Sequence, residues 1–492
     1  MNTIAQQFHE RAGRIPHHGL GLSVDVYQPD LFELVEALDR RGLSGGYFEI
    51  FKAAPGALES VRRRLPDVLF AYHAEGLWVT QPYPERVAPF AADLNDAADQ
   101  LAILGSHWLN HECAAKQMAG YTFGTYLPAL FTRASAGVTA ENIARAQQRL
   151  DRDGRDGMGP LFLLETPPLT YIGFGDLSMP EYFRLVTAQT PCGVVLDVGH
   201  VWTVYRYTGA WRHRSVEQFL AEFLDALPLE RVIEIHMAGL ALHPSVPARH
   251  AAGELPLWLD AHGEPIPEVL TDMLAQVLDH KGLTHLKGVA LEVDTKPIPT
   301  IVEEFARTRE QFGKRVVPYE QPAGAVPSPH TMALVTDAEI LTEQYERYAQ
   351  IVTGQTTAGL PVLGGEAANL SLYVNHYLPH EILEWGGAVQ DMFPEACRLL
   401  DGAGVDVRAF VWFWFRDPCA DERGRRRKAE ESYDFFLLKI TRFVAFVCDV
   451  LPAAIDTVQR EATKLRDAYH AACQPTGTST VNGQTSEYVS CK

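Results

Sequence analysis

Residues 193–200 read GVVLDVGH: an apolar run that ends on an acid, Asp197, with His200 three positions further on. A short apolar, β-branched run of this kind reads as a buried strand, and the acid at its end is presented where the strand stops. The same pattern lies on either side, with LFLLE ending at Glu165 and VIEIH ending at His236. Working outward, we read strands at Gly19–Asp25, Tyr47–Phe51, Leu69–Ala74, Trp108–Glu112, Leu161–Glu165, Gly193–Asp197, Val232–His236 and Val289–Val293. Helical stretches separate nearly all of them, such as Leu31–Arg41 and the stretch carrying Val87, Phe90, Leu94, Ala98 and Leu101 at helical spacing. Strand and helix alternating in this way predict an α/β protein, a (β/α)8 TIM barrel, over the first ~310 residues. A doubly wound open sheet is the alternative, but no Gly-rich phosphate loop opens a helix after the first strand.

The active site of a TIM barrel lies at the C-terminal ends of its strands. From the third strand onward, every strand here ends in or runs into a metal-capable side chain: His73, His111, Glu165, Asp197 with His200, His236, and Glu292. The segment WLDAHGEP after the seventh strand adds Asp260 and His262. A lone histidine at a strand end is ordinarily a satisfied hydrogen-bonding residue. A set of nine such groups on one face is not, because buried carboxylates this close repel unless cations neutralise them. Imidazole and carboxylate donors without cysteine suit Fe, Mn or Zn. Cys113 and Cys192 read as core or strand-boundary residues. Nine donors exceed the needs of one ion, so two or three ions bridged by carboxylates are expected, with positions left for substrate or O2.

The composition is that of a soluble globular protein, with 47% hydrophobic and 21% charged residues in 492. A net charge of −19 argues against a general affinity for nucleic acid, whose phosphates are bound by Lys and Arg. Apolar runs stay well short of the ~20 residues of a membrane helix. No membrane association is expected. The opening MNTIAQQFHERAGR lacks an apolar signal core, and the 7 cysteines show no C-x-x-C pairing, so a cytoplasmic location is expected.

Several stretches together resemble the multinuclear non-heme iron-dependent oxidative enzymes, the family of the methanobactin-biosynthesis oxidase. They are HGLGLSVD, FEIF, HAEGL at His73, NHE at His111, LLET at Glu165, GVVLDVGH, EIHMAG at His236, DAHGEPIPEVL and ALEVD at Glu292. The resemblance covers about residues 15–305. It implies a barrel holding two or three non-heme irons (Fe2+/Fe3+), with O2 as co-substrate. It implies oxidative chemistry on a ribosomally synthesised precursor peptide, at a cysteine or another C-terminal residue. Carried over by position, His73, His111, Glu165, Asp197, His200, His236, Asp260, His262 and Glu292 are the implied iron ligands, with Glu165, Asp197 and His236 at the catalytic centre. Three departures stand out. Thr166 replaces the usual Asn after Glu165, Leu240 replaces a second His after His236, and Lys52, Ala53 and Ala54 replace the usual acidic and amide residues. His243 either compensates for Leu240 or is a loop histidine. Glu49 either lines the pocket or pairs with a nearby Arg or Lys.

Past Phe312 the period changes. Pro318, Pro322, Pro327 and Pro329 mark a linker, followed by helical patterns at Asp337–Thr353, Glu381–Ala403, Glu430–Val450 and Ala453–Ala472. The segment VRAFVWFWF (Val407–Phe415) reads as a buried strand or a helix-packing segment. We expect a barrel domain over 1–312 and a mainly helical domain over 313–473, a lid or a substrate-docking module. Many members of the resembled family rely on a separate partner protein, whose place this domain would take. The run Arg423, Arg425, Arg426, Arg427 and Lys428 is a solvated helix start or a leader-peptide contact, and 474–492, with Cys491, is a disordered tail. A divalent-metal sugar isomerase or epimerase, or a phosphoesterase, on the same barrel is the rival; a non-catalytic peptide- or metal-binding module would not need so full a ligand set.

Overall fold

The computed structural model describes residues 3–87, 90–247, 255–318, 337–357, 359–364, 367–416 and 435–473. Eight parallel strands close a barrel: β1 (Gly19–Val24), β2 (Tyr47–Phe51), β3 (Phe70–His73), β4 (Trp108–Glu112), β5 (Leu161–Glu165), β6 (Gly193–Asp197), β7 (Val232–Met237) and β8 (Gly288–Glu292). Each pairs with its neighbours in sequence, and β8 closes on β1. The expected strands are all present, with ends shifted by a residue at β1, β3, β7 and β8. Helices between them follow their local signals. Asp30 caps Leu31–Arg40 by accepting from Phe32 N and Glu33 N, and Leu31, Leu34 and Leu38 form its buried face. Ser178 and Glu181 make a capping box on Met179–Thr187.

Side chains in the barrel alternate, so Tyr47, Ala71, Trp108, Leu161, Leu163, Val195 and Ala290 fill its interior. Phe8 and Ala12 of the helix Ile4–Arg14 join this cluster and close the end away from the site. The Tyr47 ring crosses the barrel where Gly21 leaves room: a Cβ there would fall on the ring and within 2.5 Å of the Tyr47 carbonyl oxygen. Tyr47 Oη and Trp108 Nε1 donate to the two oxygens of Glu234, at 2.5 and 2.7 Å.

After Phe312 the described residues are mainly helical, with helices Ala338–Val352, Ala367–Leu372, Leu378–Leu383, Val389–Met392, Pro394–Gly402, Ala409–Trp414, Phe435–Val450 and Ile455–Cys473, and one short strand, Val362–Gly364, that pairs with Gly173–Phe174. One difference from expectation has a local cause. The helix expected over Glu381–Ala403 is three helices, broken at Gly386 and Gly387, which take φ of 69° and 112°, and again before Pro394. Val407–Phe415 is helical, Ala409–Trp414, with Phe410, Val411 and Trp414 buried. The helix expected from Glu430 is described from Phe435. Pro322, Pro327, Pro329, the Arg423–Lys428 run and the tail with Cys491 lie outside the described residues.

The helical region packs on the loops that leave the C-terminal ends of the strands. Tyr345 Oη donates to Thr80 O after β3, and Trp414 Nε1 donates to Thr122 O after β4. His243, after β7, meets Glu381. Thr122 belongs to a hairpin, Ala114–Met118 with Tyr121–Pro128, that sequence reasoning missed. One apolar core runs through both regions, joining Leu164 and Val194 to Leu341, Tyr345, Phe410 and Phe443. No helix among the described residues is long and apolar enough to cross a membrane.

Candidate metal centre

Alternation places Glu49, His73, Asn110, Glu165, Asp197, His236 and Glu292 in the barrel interior near the C-terminal strand ends, and all are buried. Glu165 lies at the middle. Its Oε1 is 3.2 Å from His236 Nδ1, and its Oε2 is 3.4 Å from His73 Nε2 and accepts from Asn110 Nδ2 at 2.6 Å. Glu292 Oε1 is 3.4 Å from His236 Nδ1, and Glu292 Oε2 is 3.4 Å from His262 Nε2. One donor atom each from Glu165, Asp197, His236 and Glu292 falls within 4.8 Å of all the others. His262 Nε2 and His200 Nε2 lie 2.9 and 3.6 Å from Asp260 Oδ2. His111 sits at the edge, against Trp78, and feels the charges of His73, Glu75 and Glu165. The structure thus links eight of the nine residues named from the sequence by close approaches at one strand-end site, and His111 lies at its rim, related to them by charge.

The imidazoles are held in a common manner. Nδ1 of His73 faces Ala74 O (3.2 Å), that of His111 Glu112 O (2.8 Å), that of His200 Thr166 O (2.6 Å) and that of His262 Asp294 Oδ1 (2.6 Å). Those oxygens accept, so each Nδ1 carries the proton and each Nε2 keeps a lone pair for a ligand. Asp197 divides its two oxygens. Oδ1 caps the helix Val198–Tyr207 by accepting from His200 N at 2.6 Å, and buried Oδ2 has no hydrogen-bond partner.

A metal can be tested against these residues through their unmet bonding. Buried and without a hydrogen-bond partner are Glu49 Oε1, Glu112 Oε2, Asp197 Oδ2, Asp260 Oδ1, Glu292 Oε2 and the Nε2 atoms of His111, His200 and His236. An orphaned buried polar atom costs about 1–3 kcal/mol. His236 Nε2, His200 Nε2 and Glu292 Oε2 have a charged neighbour within 3.0–3.6 Å, but none of the eight is hydrogen-bonded, and a cation would complete that bonding. Electrostatics agree. Burial, with Glu165 next, pushes the Glu112 carboxyl up to about 7, and burial pushes Asp197 up to about 7 against the opposing pull of His200. Burial alone would lower His73, but Glu165 and Glu49 outweigh it and raise the imidazole to about 9. Without cations, then, the cluster relieves its repulsion by holding protons. The donors fit metal ions. Glu234 does not belong with them, since Tyr47 and Trp108 occupy both of its oxygens.

Residues 46–312, more than half of the chain, match the family model described as RiPP precursor modification enzyme MbnB/TglH/ChrH. The chain belongs to this family. Similar proteins include a UPF0276 protein of Caulobacter vibrioides (strain NA1000 / CB15N), 29% identical over 304 residues, covering 58% of this chain and 87% of that one. Another, from Anaeromyxobacter sp. (strain Fw109-5), is 26% identical over 326 residues, covering 64% and 98%. Among solved structures, endonuclease IV from Thermus thermophilus is 19% identical with a TM-score of 0.37, covering 61% of this chain and 98% of that one. A D-psicose 3-epimerase is 11% identical with a TM-score of 0.34, covering 60% and 99%. Membership in the MbnB/TglH/ChrH family makes this an enzyme of ribosomal-peptide modification and implies a metal.

The departures from the family pattern now have structural accounts. Thr166 does the work of a supporting residue: its Oγ1 accepts from Asp197 N at 3.0 Å while its carbonyl holds His200. Leu240 is buried and pairs with Asp260 in a short two-stranded antiparallel sheet. His243 does not replace it in the centre, because its nitrogens face Ser245 and Glu381. Lys52 reaches Asp93 at 4.0 Å. Glu49 is paired with neither Arg nor Lys; it accepts from Ser23 Oγ and lies 3.0 Å from His236 Nε2. Glu49, Glu112, Asn110 and Asp294 are the residues of the site that sequence reasoning missed or left open. Inward parity on β2 and β4 was the available signal. Cys113 and Cys192 are buried, with burial raising both thiols, the latter to about 12.

Proposed function

We propose that the protein is a multinuclear non-heme iron oxidase that uses O2 to modify a ribosomally synthesised precursor peptide at a cysteine or another C-terminal residue. The observation that carries this is the strand-end cluster of orphaned imidazole and carboxylate atoms in a chain of this family. His73, His111, Glu165, Asp197, His200, His236, Asp260, His262 and Glu292 would hold two or three irons, with Glu165, Asp197 and His236 central. When bound, the irons supply electrons to O2 and Lewis acidity toward the substrate. The chain's own residues fix the geometry. Ala74, Glu112, Thr166 and Asp294 set the tautomers of His73, His111, His200 and His262, so that their Nε2 atoms face the centre. Asn110 orients Glu165 by donating to it. The helices after Phe312 cover the strand-end loops, exclude water from the reaction and take the role of a peptide-presenting partner protein.

Metal analysis with Mössbauer spectroscopy on anaerobically purified protein tests this directly. Two or three irons per chain are expected, with a mass change in the precursor peptide only when O2 is admitted. One zinc or manganese and no iron would overturn it.

A further inference from the structure

A second group of metal-capable side chains lies outside the barrel. His243, in the loop after β7, meets His380 and Glu381 of the helix Leu378–Leu383, and one donor atom from each falls within 4.8 Å of the others. We propose that these three residues bind one zinc-type divalent cation, separate from the barrel centre, which clamps the C-terminal helices to the barrel.

The spacing fits. Glu381 Oε1 is 3.0 Å from His243 Nε2 and 3.3 Å from His380 Nδ1. Zinc bonds of about 2.0–2.1 Å in a tetrahedral site place two ligand atoms roughly 3.3 Å apart. The supports fit as well. Ser245 fixes the His243 ring, its Oγ 2.7 Å from Nδ1 and its backbone N–H donating to the same nitrogen at 3.4 Å, so that Nε2 faces Glu381. The His243 ring packs 4.4 Å from the Tyr377 ring and 4.7 Å from the His380 ring. Tyr377 is itself anchored by Thr125 Oγ1 at 2.8 Å and ends a π-helical turn, Tyr373–Tyr377, just before the two ligands. A widened turn of this kind is often found at functional sites. The side chains of His243, His380 and Glu381 are 13%, 31% and 11% exposed, sheltered yet reachable by an ion. Two imidazoles and one carboxylate leave a fourth position for water.

The competing arrangement uses the same residues without an ion: His243 Nε2–H donates to Glu381, and the three form a hydrogen-bonded latch. Titration of the iron-loaded full-length protein with Co2+ and Zn2+ under anaerobic conditions separates the two. A cation site takes up one further equivalent per chain, with the intense visible bands of four-coordinate Co2+. His380→Ala abolishes that equivalent and Glu381→Gln weakens it at least ~100-fold, with iron content unchanged in both. Should His380→Ala fail to fold, Glu381→Gln alone decides, since it keeps the side-chain shape. No uptake beyond the iron sites, or equal uptake in a folded variant, overturns the proposal. Because iron content is read separately, failure here is distinct from failure of the oxidase assignment.

Discussion

Replacing Thr166 with Val tests whether the residues behind the metal ligands matter as much as the ligands. Thr166 is fully buried, and Val has nearly its shape, so the change leaves no cavity. It removes one acceptor, the Oγ1 that takes the Asp197 N–H at 3.0 Å, and leaves the carbonyl that holds His200. An amide left unpaired in this position costs about 1–3 kcal/mol. That cost falls on the residue whose side chain both caps the helix Val198–Tyr207 and offers a free oxygen to the centre. Losing a support of this kind typically weakens metal binding ~10–100-fold. At ~1.4 kcal/mol per tenfold, this is the size of the hydrogen-bond loss itself. Urea denaturation of the metal-free protein should show the stability loss, and competition with a chelator the affinity loss. Thr166→Ser, which keeps the hydroxyl, should hold metal like wild type and lose only the ~1 kcal/mol of one buried methyl in urea. If Thr166→Val held metal within threefold of wild type and unfolded at the same urea concentration, the supporting role assigned to Thr166 would be wrong.

Other outcomes follow from the same geometry. Gly21→Ala should cost ~3 kcal/mol or more, because the added methyl meets the carbonyl of Tyr47 as well as its ring; an unchanged melting temperature would contradict the packing described. Chelation should lower the melting temperature by several degrees and Fe2+ should restore it, since ions bound at ~100 times their Kd add about 2.7 kcal/mol per site; equal melting with and without chelator would count against a filled centre. Lys439 is buried, donating to Trp385 O and to Gly387 O (2.8 Å), and burial lowers its ammonium to about 8. The unfolded chain, near the ordinary lysine value, then binds more protons above pH 8, so this residue makes stability rise between pH 8 and 9.5. Lys439→Met should flatten that rise relative to wild type in urea titrations at the two pH values.

How much could be read from the sequence depended on where its information lies. The barrel strands were legible because each is a short apolar run, ending in or running into a donor from the third onward, and a parallel barrel puts those ends on one face. Glu49 and Glu112 were harder. Their roles follow from parity, Glu49 sharing the interior with Tyr47 and Glu112 lying level with Glu165 across β4 and β5, and parity needs the register. His111 shows the converse: it is one residue out of phase with Asn110 and Glu112, yet it reaches the site from the strand end. The hairpin over Ala114–Pro128 turns at Ala119 and Gly120, both at positive φ, and Ala is not a residue that announces such a turn. In the C-terminal region the expected helical period ran on through Gly386 and Gly387, although a Gly-Gly pair is a turn signal and both take positive φ.

The protons of the metal-free site bear on how many ions it takes. Glu49, Glu112, Glu165, Asp197, Asp260 and Glu292 bring six carboxylates together, and the imidazoles among them are neutral when they act as ligands. Left alone, the cluster must lower that charge. It raises Glu112 and Asp197 to about 7 and His73 to about 9, so protons occupy places that full ionisation would leave strongly repelling. A single divalent ion would neutralise two of six charges and leave that pressure in place. Two or three would neutralise four to six, and could use the separate groupings the structure shows: Glu165, Asp197, His236 and Glu292 in one, and His200, Asp260 and His262 in another. Charge balance and the division of donors therefore both favour a multinuclear centre over a lone ion. Metal binding should accordingly expel protons, and calorimetric titration in two buffers of different ionisation enthalpy should give different apparent heats. Identical heats in both buffers would mean that the crowded carboxylates are already relieved by some other means.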